Sequence, residues 1–295
     1  MKKTIFTGAG VAIVTPMHAD GSIHLEKFKE LIDFQIAGGT DALIVCGTTG
    51  ESATQSHEEH VEVIKTAVEH TAGRVPVIAG TGSNDTAYAV ALSKEAESLG
   101  VDGLLMVTPY YNKTSQAGLI RHFTYVADQV DVPIILYNVP SRTGCNIQPA
   151  TYAALAEHPR IVATKEASGN MSALVETIAL CGDKLDIYSG NDDQILPVLS
   201  LGGKGVISVL SNIAPKPTHD MVQKYLEGDL EDSRRLQITY APLISTLFSD
   251  VNPIPVKEAL NLMGWDVGPC RMPLAPMSAA GRDKLKAEME KMGLL

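Results

Sequence analysis

Lys165 ends a short apolar run, Ile161-Val162-Ala163-Thr164, and is followed at once by Glu166-Ala167-Ser168-Gly169. A run of this length bounded by small polar residues reads as a buried strand with the lysine at its C-terminal end. Burial disfavours the ammonium and brings the neutral amine within reach near pH 7, and a neutral amine is a nucleophile able to form a Schiff base with a carbonyl compound. The competing reading is a packed stem whose head reaches solvent or pairs with Glu166. Reactive side chains recur at the ends of comparable runs: Gly47-Thr48-Thr49-Gly50-Glu51-Ser52, Thr108-Pro109-Tyr110-Tyr111-Asn112, Tyr137-Asn138-Val139-Pro140-Ser141-Arg142-Thr143-Gly144 and Ser189-Gly190-Asn191-Asp192. Glycines exposing backbone N–H groups beside two hydroxyls suit a carboxylate. A phenol held near a reacting centre can relay protons. The planar fork of Arg142 can grip a carboxylate at two points.

One cleft holds all of these only if the strand ends share a face. Apolar runs at 10–14, 42–46, 75–79, 103–107, 133–137, 161–165, 185–189 and 205–209 alternate with helical periods. Leu119, Ile120, Phe123, Val126, Ala127 and Val130 fall on one helix face, and Met171, Leu174, Val175 and Ile178 on another. Ser56 and Glu59 have the spacing of a capping box, and Gly38, Gly73, Gly100 and Gly182 stand where helices should end. Eight strand-helix units without a GxGxxG fingerprint fit a closed (β/α)8 barrel, of the TIM type, better than an open doubly wound sheet. In such a barrel the C-terminal strand ends carry the chemistry. After residue 225 the alternation stops and helical segments near 229–248, 254–264 and 278–292 follow. The chain is therefore expected to comprise a catalytic barrel, 1–225, and a small helical domain, 226–295. Gly202-Gly203-Lys204-Gly205 precedes the last strand, so it belongs to the opposite end of the barrel and is no phosphate cradle for this cleft.

A net charge of −10 without a basic stripe argues against a nucleic-acid partner, so cations that receive anionic substrates must be local. Cys46, Cys145, Cys181 and Cys270 are far apart, which suggests reduced thiols in a cytoplasmic protein and no metal site. Met1-Lys2-Lys3 with the apolar residues behind it faintly resembles a secretory signal, but cleavage near Ala19 would remove the first strand. No apolar run is long enough to span a bilayer.

The five stretches Gly47-Thr48-Thr49-Gly50-Glu51, Pro109-Tyr110-Tyr111, Tyr137-Asn138-Val139-Pro140-Ser141-Arg142-Thr143-Gly144, Lys165-Glu166-Ala167 and Asn252-Pro253-Ile254-Pro255-Val256-Lys257 resemble the 4-hydroxy-tetrahydrodipicolinate (dihydrodipicolinate) synthase family, over essentially the whole chain. The first and fourth belong to the wider pyruvate-dependent aldolase and lyase superfamily; the Tyr-Asn-Val-Pro-Ser-Arg-Thr-Gly run is much more specific to the synthases. The resemblance implies a lyase in which Lys165 condenses with pyruvate, without metal or organic cofactor. Thr49 and its loop would hold the pyruvate carboxylate, with Gly190 and Ile207 lining the substrate site and Ile207 contributing a backbone contact. Tyr137, Thr48 and Tyr111 would relay protons, and Arg142 would grip L-aspartate 4-semialdehyde, giving the first committed step of the diaminopimelate route to lysine. It also implies that Tyr111 acts from a neighbouring subunit, hence a dimer and, by analogy, a homotetramer of two dimers.

His57-Glu58-Glu59-His60 lacks the spacing of a metalloprotease helix and reads as a solvated helix start. In lysine-inhibited synthases the corresponding region lines an interface site for lysine, and Ser52, Ala53, His57, His60, Asn84 and Tyr110 match it. Tyr88 departs from it, standing where inhibited enzymes commonly carry a glutamate for the ligand's ammonium. Losing that charge-assisted bond is worth about 1.5 to 3 kcal/mol, so feedback by lysine is expected to be weak. N-acetylneuraminate lyase and sugar-acid aldolases share the lysine and tyrosine but lack the Ser-Arg-Thr run. A non-catalytic pyruvate sensor on the same scaffold would have little use for Lys165, Tyr137, Thr48 and Tyr111 together.

Overall fold

The computed structural model describes residues 2–295; Met1 lies outside the described residues. Eight parallel strands close into a barrel in chain order: β1 (Gly8–Ala12), β2 (Ala42–Val45), β3 (Val77–Gly80), β4 (Gly103–Val107), β5 (Ile134–Asn138), β6 (Ile161–Glu166), β7 (Asp186–Ser189) and β8 (Gly205–Ser208). Helices α1 (Leu25–Ala37), α2 (His57–Thr71), α3 (Thr86–Ser98), α4 (Gln116–Ala127), α5 (Pro140–Thr143), α6 (Pro149–Leu155), α7 (Met171–Cys181), α8 (Ile195–Ser200) and α9 (Pro215–Leu226) follow the strands. Three more, α10 (Leu230–Leu247), α11 (Ile254–Leu262) and α12 (Ala279–Lys291), come after them, α10 packing on α9 and α12 on both α10 and α11.

Strands buried on both faces explain why these runs are continuously apolar instead of alternating. Ala42, Ile44, Ile78, Leu105, Ile135 and Ile207 fill the barrel interior, while Leu43, Val45, Leu104, Met106, Ile134 and Leu136 belong to the core between strands and helices. The capping box at Ser56 and Glu59 is present, and Gly38 and Gly182 cap α1 and α7. Several bounds shift by one or two residues, and two departures have a physical reason. The first strand begins at Gly8, not residue 10, because β1 closes the barrel against β8 with Gly8 opposite Gly205. A side chain on Gly205 would place its Cβ 1.8 Å from the Gly8 carbonyl oxygen, so glycine, which reads as a strand breaker, is here demanded by the closure. On α7, Leu174 is buried but Val175 is about half exposed, as is Leu180, because this helix is apolar around more than the one face it packs. No helix among the described residues is long and apolar enough to cross a membrane.

Candidate active site

Strand register delivers the two central side chains together. β5 and β6 pair with Tyr137 opposite Lys165 and Asn138 opposite Glu166, and the two-residue period sends the first pair into the barrel and the second outward. Lys165 is only 5% exposed, and its Nζ lies 4.5 Å from the centroid of the Tyr137 ring. Burial lowers the pKa of this amine to about 8, opposed by the Asp192 carboxylate and assisted by the Arg142 guanidinium. At that value roughly one amine in ten is neutral at pH 7, against fewer than about one in a thousand for an ordinary lysine. Burial also raises the Tyr137 phenol, while Arg142 and the Thr48 hydroxyl draw it back down. It thus stands as a neutral O–H, able to give or take a proton through Thr48.

Glu166 does not pair with Lys165. Its carboxylate accepts from the Tyr152 hydroxyl at 2.8 Å, the Ser168 N–H at 2.7 Å and Asn138 Nδ2 at 3.1 and 3.2 Å, tying β5, β6 and α6 together behind the amine. Thr48 is half-buried and Thr49 buried, in a loop held by left-handed backbone at Cys46 (φ 53°) and Glu51 (φ 57°). Gly190 continues the β6–β7 contact, its N–H donating to the Glu166 carbonyl at 2.7 Å, and a Cβ there would lie 2.6 Å from that of Ala167. Ile207 is buried in the barrel, opposite Gly10 of β1. Arg142, on α5, is exposed at the rim and donates from Nη2 to the Asn252 carbonyl at 3.4 Å.

Tyr111 is not gathered with the others. It is 89% exposed, on a loop where its own backbone is left-handed (φ 69°). Lys165, Tyr137, Thr48 and Thr49 therefore come together within one chain, and the phenol of Tyr111 points away to solvent. The arrangement offers a poorly hydrated amine, a phenol-hydroxyl proton path, and hydroxyl and guanidinium groups for anions.

The model of the dihydrodipicolinate synthetase family matches residues 5–292. The chain belongs to that family. It is 61% identical to a 4-hydroxy-tetrahydrodipicolinate synthase from Lachnoclostridium phytofermentans over 99% of both chains. Among solved structures it superposes with a TM-score of 0.96 on dihydrodipicolinate synthase from Aquifex aeolicus, at 44% identity over 98% of this chain and 99% of that one. It matches equally well, at a TM-score of 0.96 and 41% identity over 99% and 100% of the two chains, a chloride-inhibited dihydrodipicolinate synthase from Acinetobacter baumannii complexed with pyruvate.

Several groups around this dihydrodipicolinate synthetase site stand in stretches singled out in the sequence, but their roles are not foreseen there. Asp192, just beyond β7, is buried; its Oδ2 accepts from the N–H groups of Val209 and Leu210 at 3.1 and 2.9 Å, joining the ends of β7 and β8. Burial raises its pKa, against the pull of Ser208, those two N–H groups and Lys165. Its Oδ1 has no partner among the described residues. Lys257 of α11 forms a buried ion pair with Glu51 at 2.9 Å and also donates to the carbonyls of Pro269 at 2.6 Å and Thr15 at 3.3 Å. Asn252 donates from Nδ2 to Thr49 Oγ1 at 3.0 Å. The signal available was a carboxylate in a strand-end loop for Asp192, a lysine inside an apolar helix face for Lys257 and, for Asn252, only its place in a stretch that resembles the synthases.

Near α2, His57 Nε2 lies 2.9 Å from Glu95, and its Nδ1 lies 3.3 Å from the Tyr88 hydroxyl. His60 turns inward to the Gly80 carbonyl at 2.8 Å, and burial lowers its pKa. Tyr110 is close enough to Tyr88 to help raise its pKa, after burial, and both rings are partly exposed. Ser52 and Ala53 form a short 3-10 turn before α2, and the Asn84 carbonyl accepts from Asn112 at 2.9 Å.

Proposed function

We propose that the protein is a 4-hydroxy-tetrahydrodipicolinate synthase that condenses pyruvate with L-aspartate 4-semialdehyde through an imine on Lys165. The observation that carries this reading is the buried Lys165 amine, its pKa lowered to about 8, set against the Tyr137 ring. The neutral amine adds to the keto carbon of pyruvate; loss of water gives an iminium, which acts as the electron sink in place of a metal or organic cofactor. The pyruvate carboxylate rests on the Thr49 hydroxyl and loop N–H groups, with Ile207 and Gly190 beneath. Tyr137, passing protons through Thr48 and the partner subunit's Tyr111, takes a methyl proton to give the enamine. The enamine carbon attacks the aldehyde carbon of the semialdehyde, whose carboxylate Arg142 grips, and the new alkoxide takes a proton back from Tyr137. The semialdehyde's own amine then adds to the iminium carbon and expels Lys165 Nζ, closing the ring and freeing the enzyme.

Support for an assembled dimer lies in Tyr88, in the first turn of α3, and Tyr110 and Tyr111, on the loop after β4, all partly or largely exposed at one end of the barrel. A tetramer of two such dimers follows the family analogy. The same end carries Ser52, Ala53, His57, His60, Asn84 and Tyr110, the proposed lysine site, with Tyr88 as its weak point. The deciding experiment is a coupled assay with pyruvate and the semialdehyde, with and without lysine, beside borohydride trapping with pyruvate read by intact mass. Turnover, and an adduct lost in Lys165→Ala, are expected. Absence of the adduct in the unaltered protein overturns the mechanism, and an adduct without turnover overturns the choice of second substrate.

A further inference from the structure

Asn252 lies between α10 and α11, outside the strands and their loops, yet it is only 6% exposed and reaches two parts of the site at once. Its side-chain Nδ2 donates to Thr49 Oγ1 at 3.0 Å, and its carbonyl accepts from Arg142 Nη2 at 3.4 Å. Its Oδ1 has no partner among the described residues, so the amide is held from its nitrogen side. The segment cannot drift, because five residues on Lys257 is locked to Glu51 of the Thr49 loop at 2.9 Å.

We infer that Asn252 is a positioning residue for the pyruvate carboxylate, acting by fixing which way the Thr49 hydroxyl points its hydrogen. A hydroxyl has one hydrogen to give and two lone pairs to receive. An N–H placed on one lone pair leaves the hydrogen free to face the substrate anion, whereas an acceptor in the same place would claim that hydrogen and present a lone pair to the carboxylate. The inference rests on the synthase reading for Thr49, and it makes the helical C-terminal segment a working part of the pyruvate subsite.

The test compares the unaltered protein with Asn252→Asp, Asn252→Ala and Glu258→Gln. Asp keeps the shape but replaces the donor with an acceptor; Ala removes the donor without adding charge; Glu258→Gln cuts the Glu258–Arg282 ion pair at 2.5 Å on the outer side of α11 and serves as a structural control. Each is titrated with pyruvate and trapped with borohydride between pH 6 and pH 8, with KM and kcat measured alongside. At pH 8 Asn252→Asp is expected to need about tenfold or more pyruvate for half-trapping, and Asn252→Ala several-fold more, with the final extent of trapping retained. Burial beside the substrate carboxylate raises the introduced Asp carboxyl, so its deficit should shrink toward pH 6 as it gains a proton and becomes a donor. Lys165 titrates over the same range in every variant, and Tyr137, Arg142, Glu51 and Lys257 face the same loop, so the ratio to the unaltered protein is read at each pH. Half-trapping within twofold of the unaltered protein for both Asn252 variants, or an equal shift in Glu258→Gln, overturns the inference. Failure of the unaltered protein to form an adduct overturns the synthase reading and this inference with it. Trapping without turnover removes the semialdehyde while the pyruvate titration still decides the role of Asn252.

Discussion

Burying the Lys165 amine is a cost to the fold that only chemistry repays, and the cost has a sign that can be measured. Its folded pKa, about 8, lies below the ordinary 10.5, so between those values the unfolded chain binds more protons and stability rises with pH. The penalty is complete below pH 8 and gone above about 10.5. Lys165→Met, close in length and without charge, is therefore expected to abolish imine formation while raising unfolding free energy at pH 7 by about 3 kcal/mol. That gain should fade as pH climbs from 8 toward 10.5, as denaturant titrations at several pH values would show; an unchanged or lowered stability at pH 7 would mean that the amine is not desolvated. Tyr88 supports a second measurement on one side chain. Tyr88→Glu puts a carboxylate near His57, and the concentration of lysine giving half-inhibition is expected to fall by about ten- to a hundredfold relative to the unaltered protein. Equal insensitivity in both proteins would remove lysine from this site.

Elements, not single residues, bring the site together, and here the sequence was legible to different depths. Eight apolar runs separated by amphipathic periods announce a closed barrel because every strand is covered on both faces, and Lys165 stands out as the cation that breaks such a run. Gly8 hides the start of β1, since a glycine needed for close backbone approach looks the same as one that ends a strand. Asn252 and Asp192 could be seen as polar residues near turns, but their partners lie 203 residues away at Thr49 and 17 to 18 away at Val209 and Leu210. No local period encodes such pairings; they exist only once the barrel has closed and α11 has docked. Another of these long links is the Glu51–Lys257 ion pair, with both side chains almost wholly buried. Removing one charge strands the other, so Lys257→Met should cost about 3 to 5 kcal/mol in chemical denaturation, whereas Glu51→Gln combined with Lys257→Met should cost clearly less than the single change. If α11 steadies the pyruvate loop as the geometry suggests, the single variant also raises the KM for pyruvate. Additive losses in the double variant would show that the two side chains act independently.

At the scale of the whole molecule, the single chain holds Lys165, Tyr137 and Thr48 in one place and leaves Tyr111 89% exposed. If, as proposed, Tyr111 completes the proton relay of a partner subunit across a two-fold interface, the loan is reciprocal. Reciprocity is open to a mixing experiment. Lys165→Ala subunits have no amine but carry a sound Tyr111; Tyr111→Phe subunits have the amine but lack the phenol. In a mixed dimer, one site combines both defects and the other combines both intact residues. Random exchange of equal amounts makes about half the dimers mixed, each with one sound site of two, so activity should rise to about a quarter of the unaltered protein's, above the sum of the two variants measured apart. Were Tyr111 to serve its own chain, every mixed dimer would hold one site without the amine and one without the phenol, and mixing would restore nothing. The same measurement across a dilution series ties the recovered turnover to the dimer, because it should vanish with dissociation while trapping of pyruvate on Lys165, which requires only groups from one chain, persists.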